Sequence, residues 1–217
     1  MERITSGIDN LDNLLNGGFI KNSLILVSGT IGSGKTTFAL QCLYKNALTG
    51  KKCMFISTKS RNVIKNFLPR FQKLRELIKT KKIIFADISP ISAYSIIKDI
   101  EFAVKSFNIE IITIDSVDIL KMLEKHEARF ALSKISHMLK RNKCTTILTS
   151  EAALHSKSLS IHGVEEFISD AVILLEMKKS NHKLLKNLHI RKMRGSPHSE
   201  KIYPYEIFDS GIKIEKI

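Results

Sequence analysis

Long hydrophobic runs are missing from this chain. No apolar stretch approaches the roughly 18 residues that a bilayer-crossing helix needs, which argues against membrane insertion. The opening residues, Met1 to Thr5, hold no apolar signal segment, so a cytoplasmic protein is expected. Cysteine is scarce: Cys42, Cys53 and Cys144 are odd in number, isolated and without metal-ligand spacing, and read as core residues in a reducing compartment. Acidic side chains are outnumbered, 21 against 35 Lys and Arg, for a net charge of +14. Such an excess favours anionic partners, nucleic acid among them. Aromatic residues, however, make up 7% of the chain and do not interleave with the lysine clusters at 51–52, 79–82, 140–143 and 178–179. Base stacking therefore has no platform there, and a solvated surface is the better reading of those clusters. Internal repeats, low-complexity tracts and linkers are also lacking. With 217 residues, 43% of them hydrophobic, residues 1–217 are expected to form a single α/β domain.

One stretch organises what is present. Gly29, Thr30, Ile31, Gly32, Ser33, Gly34, Lys35 and Thr36 fill every fixed position of a glycine, four residues, then Gly-Lys-Ser/Thr. The apolar run 23–28 before it reads as a buried strand, and 37–44 after it, opening on Thr37, reads as a helix. The glycines let the backbone approach phosphate oxygens, successive main-chain N–H groups surround them, and the helix presents the positive end of its dipole. In this pattern Lys35 reaches the β and γ phosphates and Thr36 offers its hydroxyl to Mg²⁺. These residues point to nucleotide binding.

The rest follows a strand–helix rhythm, which means a largely parallel sheet with crossover helices. An amphipathic helix with Ile8, Leu11, Leu14 and Leu15 on one face precedes the loop and stops at Gly17-Gly18. Residues 52–57 and 83–86 read as strands, and a helix over 62–77 is interrupted or kinked near Pro69. Ser92 caps a helix whose apolar face is Ala93, Ile96, Ile97, Ile100, Val104 and Phe107. The strand 109–116 ends near Asp115, beside the phosphate loop, where Asp115 can hold a water on Mg²⁺. A helix over 127–141 is expected to bury Phe130, Ile135, Met138 and Leu139. A strand over 144–151 ends on Glu151, followed by a polar, basic loop 152–162 with His155, Lys157 and His162. Short strands at 171–176, 188–192 and 202–207 then read as an antiparallel sheet edge.

With these segments in view, the chain resembles a single domain of the KaiC-like branch of the RecA/RadA ATPase superfamily. The likeness is carried by Thr5 to Asp12 with Gly17-Gly18-Phe19, by Thr146 to Glu151, by Gly163 to Asp170, and by Lys192-Met193-Arg194-Gly195-Ser196-Pro197-His198. The resemblance implies a RecA-like fold and a ring, usually hexameric, with ATP and Mg²⁺ held between neighbouring subunits. It also implies that Lys192, Arg194 and His198 reach the γ-phosphate on the next subunit, with the logic of an arginine finger.

The chain departs from the family at one point. There the second strand runs into a pair of glutamates, one of which prepares the attacking water; here Lys59 and Ser60 stand in those positions. A charged ammonium accepts no proton. Glu151, at the end of a neighbouring strand, is the acid that could take over. Three readings follow. The first is a nucleotide-dependent ring with a regulatory or scaffold role, a protein client and weak or absent hydrolysis. The second is an active ATPase using Glu151. The third is a recombinase-like module binding DNA through the basic loop around Lys157.

Overall fold

Leu24 and Leu26 pack on one side of their strand, Ile25 and Val27 on the other, so a run that is apolar throughout is covered on both faces. The computed structural model describes residues 1–58, 62–87, 92–152, 159–180 and 183–215. A two-stranded ribbon, β1 (Arg3–Ile4) and β2 (Phe19–Ile20), encloses the one-turn helix α1 (Leu11–Leu14). The chain then enters β3 (Leu24–Gly29) and, through the glycine-rich loop, α2 (Lys35–Leu48). There follow β4 (Cys53–Ser57), α3 (Asn62–Phe67), α4 (Leu74–Lys79), β5 (Ile83–Asp87), α5 (Ala93–Phe107) and β6 (Ile111–Asp115). A tight helical turn at Val117–Met122 leads to α6 (Lys125–Arg141), β7 (Thr145–Glu151) and a short α7 (Glu165–Ile168). The chain closes with β8 (Ala171–Ser180), β9 (Lys183–Met193), β10 (Ile202–Phe208) and β11 (Gly211–Ile214).

These strands form a nine-stranded sheet in the order β11-β10-β9-β8-β3-β7-β6-β4-β5. From β8 to β5 every pairing is parallel; β8, β9, β10 and β11 pair antiparallel. The α/β class and the antiparallel C-terminal edge agree with expectation. Helix α2 covers one face, where Phe38 and Leu43 meet Ile25, Val27 and Phe55. Helices α5 and α6 cover the other, where Ile100, Leu132 and Ile135 meet Leu26, Ile56 and Ile114. The nucleotide-loop strand β3 is central, so the loop at its carboxyl end sits in the crevice where ligands of open α/β sheets gather. Cys42, Cys53 and Cys144 are free and buried in this core, and burial raises all three thiols well above their ordinary value, Cys144 to about 12.

Several local expectations change. Residues 62–77 are not one kinked helix: α3 stops at Phe67 and α4 begins at Leu74, because Pro69 lacks an N–H and disfavours helical backbone in the residue before it. The opening helix is one turn, though Ile8, Leu11 and Leu15 are all buried. Phe130 is 57% exposed. The buried face of α6 runs through Ala128, Ala131, Leu132, Ile135 and Leu139, which leaves Phe130 about 200° from Ala128 at 100° per residue. Its ring instead carries the Lys134 ammonium at 5.3 Å. Phe107, in the last turn of α5, is also exposed. Among the described residues no helix is long and apolar enough to cross a membrane.

Candidate nucleotide-binding site

The phosphate loop is shaped by contacts that only glycine permits. A Cβ on Gly29 would lie 2.4 Å from the carbonyl oxygen of Leu175 on the adjacent strand. Gly34 has φ 92°, in the left-handed region, and a Cβ there would meet Ile207 Cδ1 at 2.6 Å. Together with Gly32 at φ 80°, these residues turn the chain from β3 into α2 and expose main-chain N–H groups at the helix start.

Lys35 arches back over this loop. Its Nζ donates to the carbonyls of Gly29 at 2.8 Å and Thr30 at 2.9 Å, and its side chain is buried. Beside it, Thr36 Oγ1 donates to Asp115 Oδ2 at 2.9 Å. Asp115 is 2% exposed, and its Oδ1 accepts from the Thr149 hydroxyl at 2.5 Å. Strands β6 and β7 are sheet neighbours, so the carboxylate is set between two hydroxyls from different elements. Thr58 N–H donates to the Asp115 carbonyl at 2.9 Å, which fixes the backbone as well.

The arrangement fits a magnesium nucleotide. Mg²⁺ takes oxygen ligands and is usually held by one or two carboxylates together with substrate phosphates. Thr36 and Asp115 are such an oxygen pair at the mouth of the loop. The hydroxyls of Thr30 and Ser33 are buried in the loop without a partner among the described residues, which is the unmet hydrogen-bonding capacity that a polyphosphate would satisfy. Thr37 and Ile31 line the cleft above, whose volume is about 360 Å³.

Glu151 shares that cleft. It pairs in register with Gly29, and its N–H donates to Asp118 Oδ1 at 3.1 Å. Its carboxylate lies 3.7 Å from the Lys121 ammonium. Lys59 and Ser60 fall outside the described residues, as do His155 and Lys157 of the basic loop.

Lys192 and Arg194 stand elsewhere. Register places Lys192 opposite Val172, whereas Gly29 pairs with Leu175, about 10 Å further along β8 at 3.3 Å per residue. Arg194 lies further still from the loop, its N–H donating to the Asp170 carbonyl at 2.8 Å. Both therefore sit toward the opposite end of the sheet from their own phosphate loop. The Lys192 ammonium donates to the carbonyls of Glu166 at 2.8 Å and Ser169 at 2.6 Å, around α7. Burial, and then repulsion from Arg194, lowers its pKa. Arg194 donates to the Phe167 carbonyl at 3.1 Å, with Asp170 at 3.7 Å. His198 follows in the half-buried segment after β9.

Some site residues carried no signal in the sequence. Thr149 and Thr58 reach Asp115 only through strand pairing. Asp118 joins the Ser116 hydroxyl at 2.6 Å to the Glu151 backbone. His162, expected in a basic loop, is buried, with Nδ1 2.8 Å from Glu165 Oε1. Burial works against the charge on Glu165, yet His162, Ser160 and backbone amides hold it ionised, with a pKa of about 2.

Comparison with known proteins agrees with this fold. A family profile described as ATPase, KaiC, matches residues 4–217. A UPF0273 protein of Methanopyrus kandleri is 29% identical, over 99% of this chain and 92% of its own. The circadian clock oscillator protein KaiC of Thermostichus vulcanus is 30% identical over 99% of this chain, which spans 44% of that longer relative. The crystal structure of a KaiC-like protein from Pyrococcus horikoshii superposes with a TM-score of 0.91 at 34% identity, covering 99% of both chains.

Proposed function

We propose, on the premise that this chain belongs to the KaiC family of ATPases, that its subunits assemble with ATP and Mg²⁺ into a ring that turns ATP over weakly or not at all. Nucleotide binding by the phosphate loop follows from the family; the ring, its regulatory or scaffold role and its weak turnover are the proposal.

The supporting observation is the separation of the cationic residues from the loop. Lys35, Thr36 and Asp115 converge at one end of the central strands, while Lys192 and Arg194 lie toward the other. Lys192 and Arg194 therefore act on nucleotide only if a neighbour supplies it, which is how a closed ring with head-to-tail interfaces works. In such a ring the loop amides and Lys35 bind the phosphates from one side, and Lys192, Arg194 and His198 approach from the next subunit to stabilise charge on the γ-phosphate. Mg²⁺, held through Thr36 and Asp115, would neutralise phosphate charge. A six-membered ring follows the family resemblance.

Weak turnover is supported by Lys59 and Ser60 in the positions of the family's paired glutamates. The second reading, an active ATPase, is favoured by Glu151, which lines the same cleft as Thr36. Phosphate release from Mg-ATP under single-turnover conditions separates the two. Release that is lost in Glu151→Gln supports the active enzyme. Bound ATP without release supports the ring as a nucleotide-held scaffold for a protein client. A DNA-binding role has less support, because His162 is buried on Glu165 and not available to a phosphate backbone. Single-stranded DNA binding that weakens steeply with salt would restore it.

A further inference from the structure

We propose that Arg70 is a nucleotide-binding residue, contributing a guanidinium from the same chain to the γ-phosphate of a nucleotide held over the loop. This rests on the nucleotide-site reading above and adds to it a cation that the phosphate-loop pattern does not contain.

Arg70 lies in the turn between α3 and α4, far in sequence from the loop, yet it lines the same cleft as Lys35, Thr36 and Glu151. The turn is held firmly. Arg70 N–H donates to the Phe67 carbonyl at 3.0 Å. Phe71, beside it, is 3% exposed, and its ring centroid is 4.8 Å from that of Tyr44 and 6.4 Å from that of Phe67. Tyr44 belongs to α2, the helix whose first turn is the floor of the site. The backbone that carries Arg70 is thus fixed to the element that carries Lys35 and Thr36, and Pro69 restricts it further.

The side chain is poised, not committed. Its Cζ lies 5.7 Å from the Phe67 ring centroid, and among the described residues it has no carboxylate partner. A half-exposed guanidinium beside a cleft built for anions raises the local positive potential, and its planar fork matches phosphate oxygens in a way that an ammonium does not. Lys192 and Arg194, in contrast, are occupied by the carbonyls around α7 at the far end of the sheet. Arg70 therefore acts in binding by a single subunit, before any assembly.

The test is calorimetric titration of MgATP and MgADP into the wild-type chain and into Arg70→Ala, Arg70→Lys and Arg75→Ala. Arg75, exposed on α4, controls for the loss of one positive charge. Arg70→Ala is expected to weaken MgATP about tenfold and MgADP by less, Arg70→Lys to fall between, and Arg75→Ala to leave both unchanged. Equal MgATP affinity in wild type and Arg70→Ala overturns the proposal. Equal losses for MgATP and MgADP also overturn it, because they place the guanidinium on a part that both nucleotides share and not on the γ-phosphate. A wild-type chain that binds neither nucleotide overturns the nucleotide reading itself, and is distinguishable from both.

Discussion

Thr36 Oγ1 donates to Asp115 Oδ2 at 2.9 Å, joining the first turn of α2 to the end of β6. The contact brings two oxygen ligands together from residues 79 apart in the chain. Because Asp115 holds the negative charge of this pair, Asp115→Asn is expected to weaken the Mg²⁺-dependent part of ATP binding about tenfold. ATP binding in the presence of a chelator should stay the same. Titrations with and without Mg²⁺ check this; a loss that is equal in both would mean that Asp115 acts by holding Thr36 and the loop in place, not through the metal.

The same carboxylate depends on Thr149, whose hydroxyl donates to Oδ1 at 2.5 Å. Thr149→Val keeps the shape and removes the donor, leaving a buried carboxylate oxygen short of a partner. A loss of about 1–3 kcal/mol in unfolding free energy is expected from urea denaturation. Thr149→Ser, which retains the hydroxyl, should recover most of it.

The contrast between these residues shows what the sequence makes legible. Gly29 to Thr36 is contiguous, so its spacing alone specifies a cradle, and Asp115 closes an apolar strand in the same sheet. Thr149 and Thr58 look like ordinary strand residues, because what they do depends on which strands become neighbours. The order β3-β7-β6-β4 differs from chain order, and nothing local encodes it. The break at Pro69 was readable, but its consequence was not: the turn after it carries Arg70 into the nucleotide cleft. Phe130 misled because hydrophobicity outweighed helical phase, and Ala128 and Ala131 define the buried face instead. His162 resembled a surface cation until the fold set it against Glu165.

Gly29 makes a steric prediction. A Cβ there meets a backbone oxygen at 2.4 Å, and that atom belongs to a strand hydrogen-bonded on both sides, so it has little room to move. Gly29→Ala should destabilise the chain and distort the loop together, read as a lower melting temperature and weaker MgATP binding. Gly50→Ala tests the comparison, since a Cβ there meets nothing within 4 Å and only its positive φ of 96° opposes the change.

Glu165 sets an acid-side dependence. Its folded pKa of about 2 lies below the ordinary 4.5, so the unfolded chain binds this proton first as pH falls. Its contribution to stability is complete above about pH 4.5 and is lost as pH drops from there toward 2. Glu165→Gln should lower stability at neutral pH and flatten the slope of unfolding free energy through that window. Denaturant melts of both proteins at stepped pH measure it; an unchanged slope would mean that other carboxylates carry the acid response.

The ring reading has a test that does not require turnover. Lys35→Ala removes the cation that grips the phosphates, and Arg194→Ala removes a residue proposed to engage the neighbour's nucleotide. Each variant alone should fail to assemble with Mg-ATP, the first for want of nucleotide and the second for want of the contact. Mixed together, they can form one good interface: the Arg194→Ala chain holds ATP, and the Lys35→Ala chain presents its intact Arg194 to it. The opposite interface of that pair lacks both parts, so growth stops after two chains. Sedimentation velocity of the mixture with Mg-ATP should therefore show a species of twice the subunit mass, absent without nucleotide. Association of either variant alone would remove the division of labour between subunits. A mixture that stays monomeric, while the wild-type chain assembles, would place Arg194 at work within its own chain, against the strand register that sets it at the far end of β8.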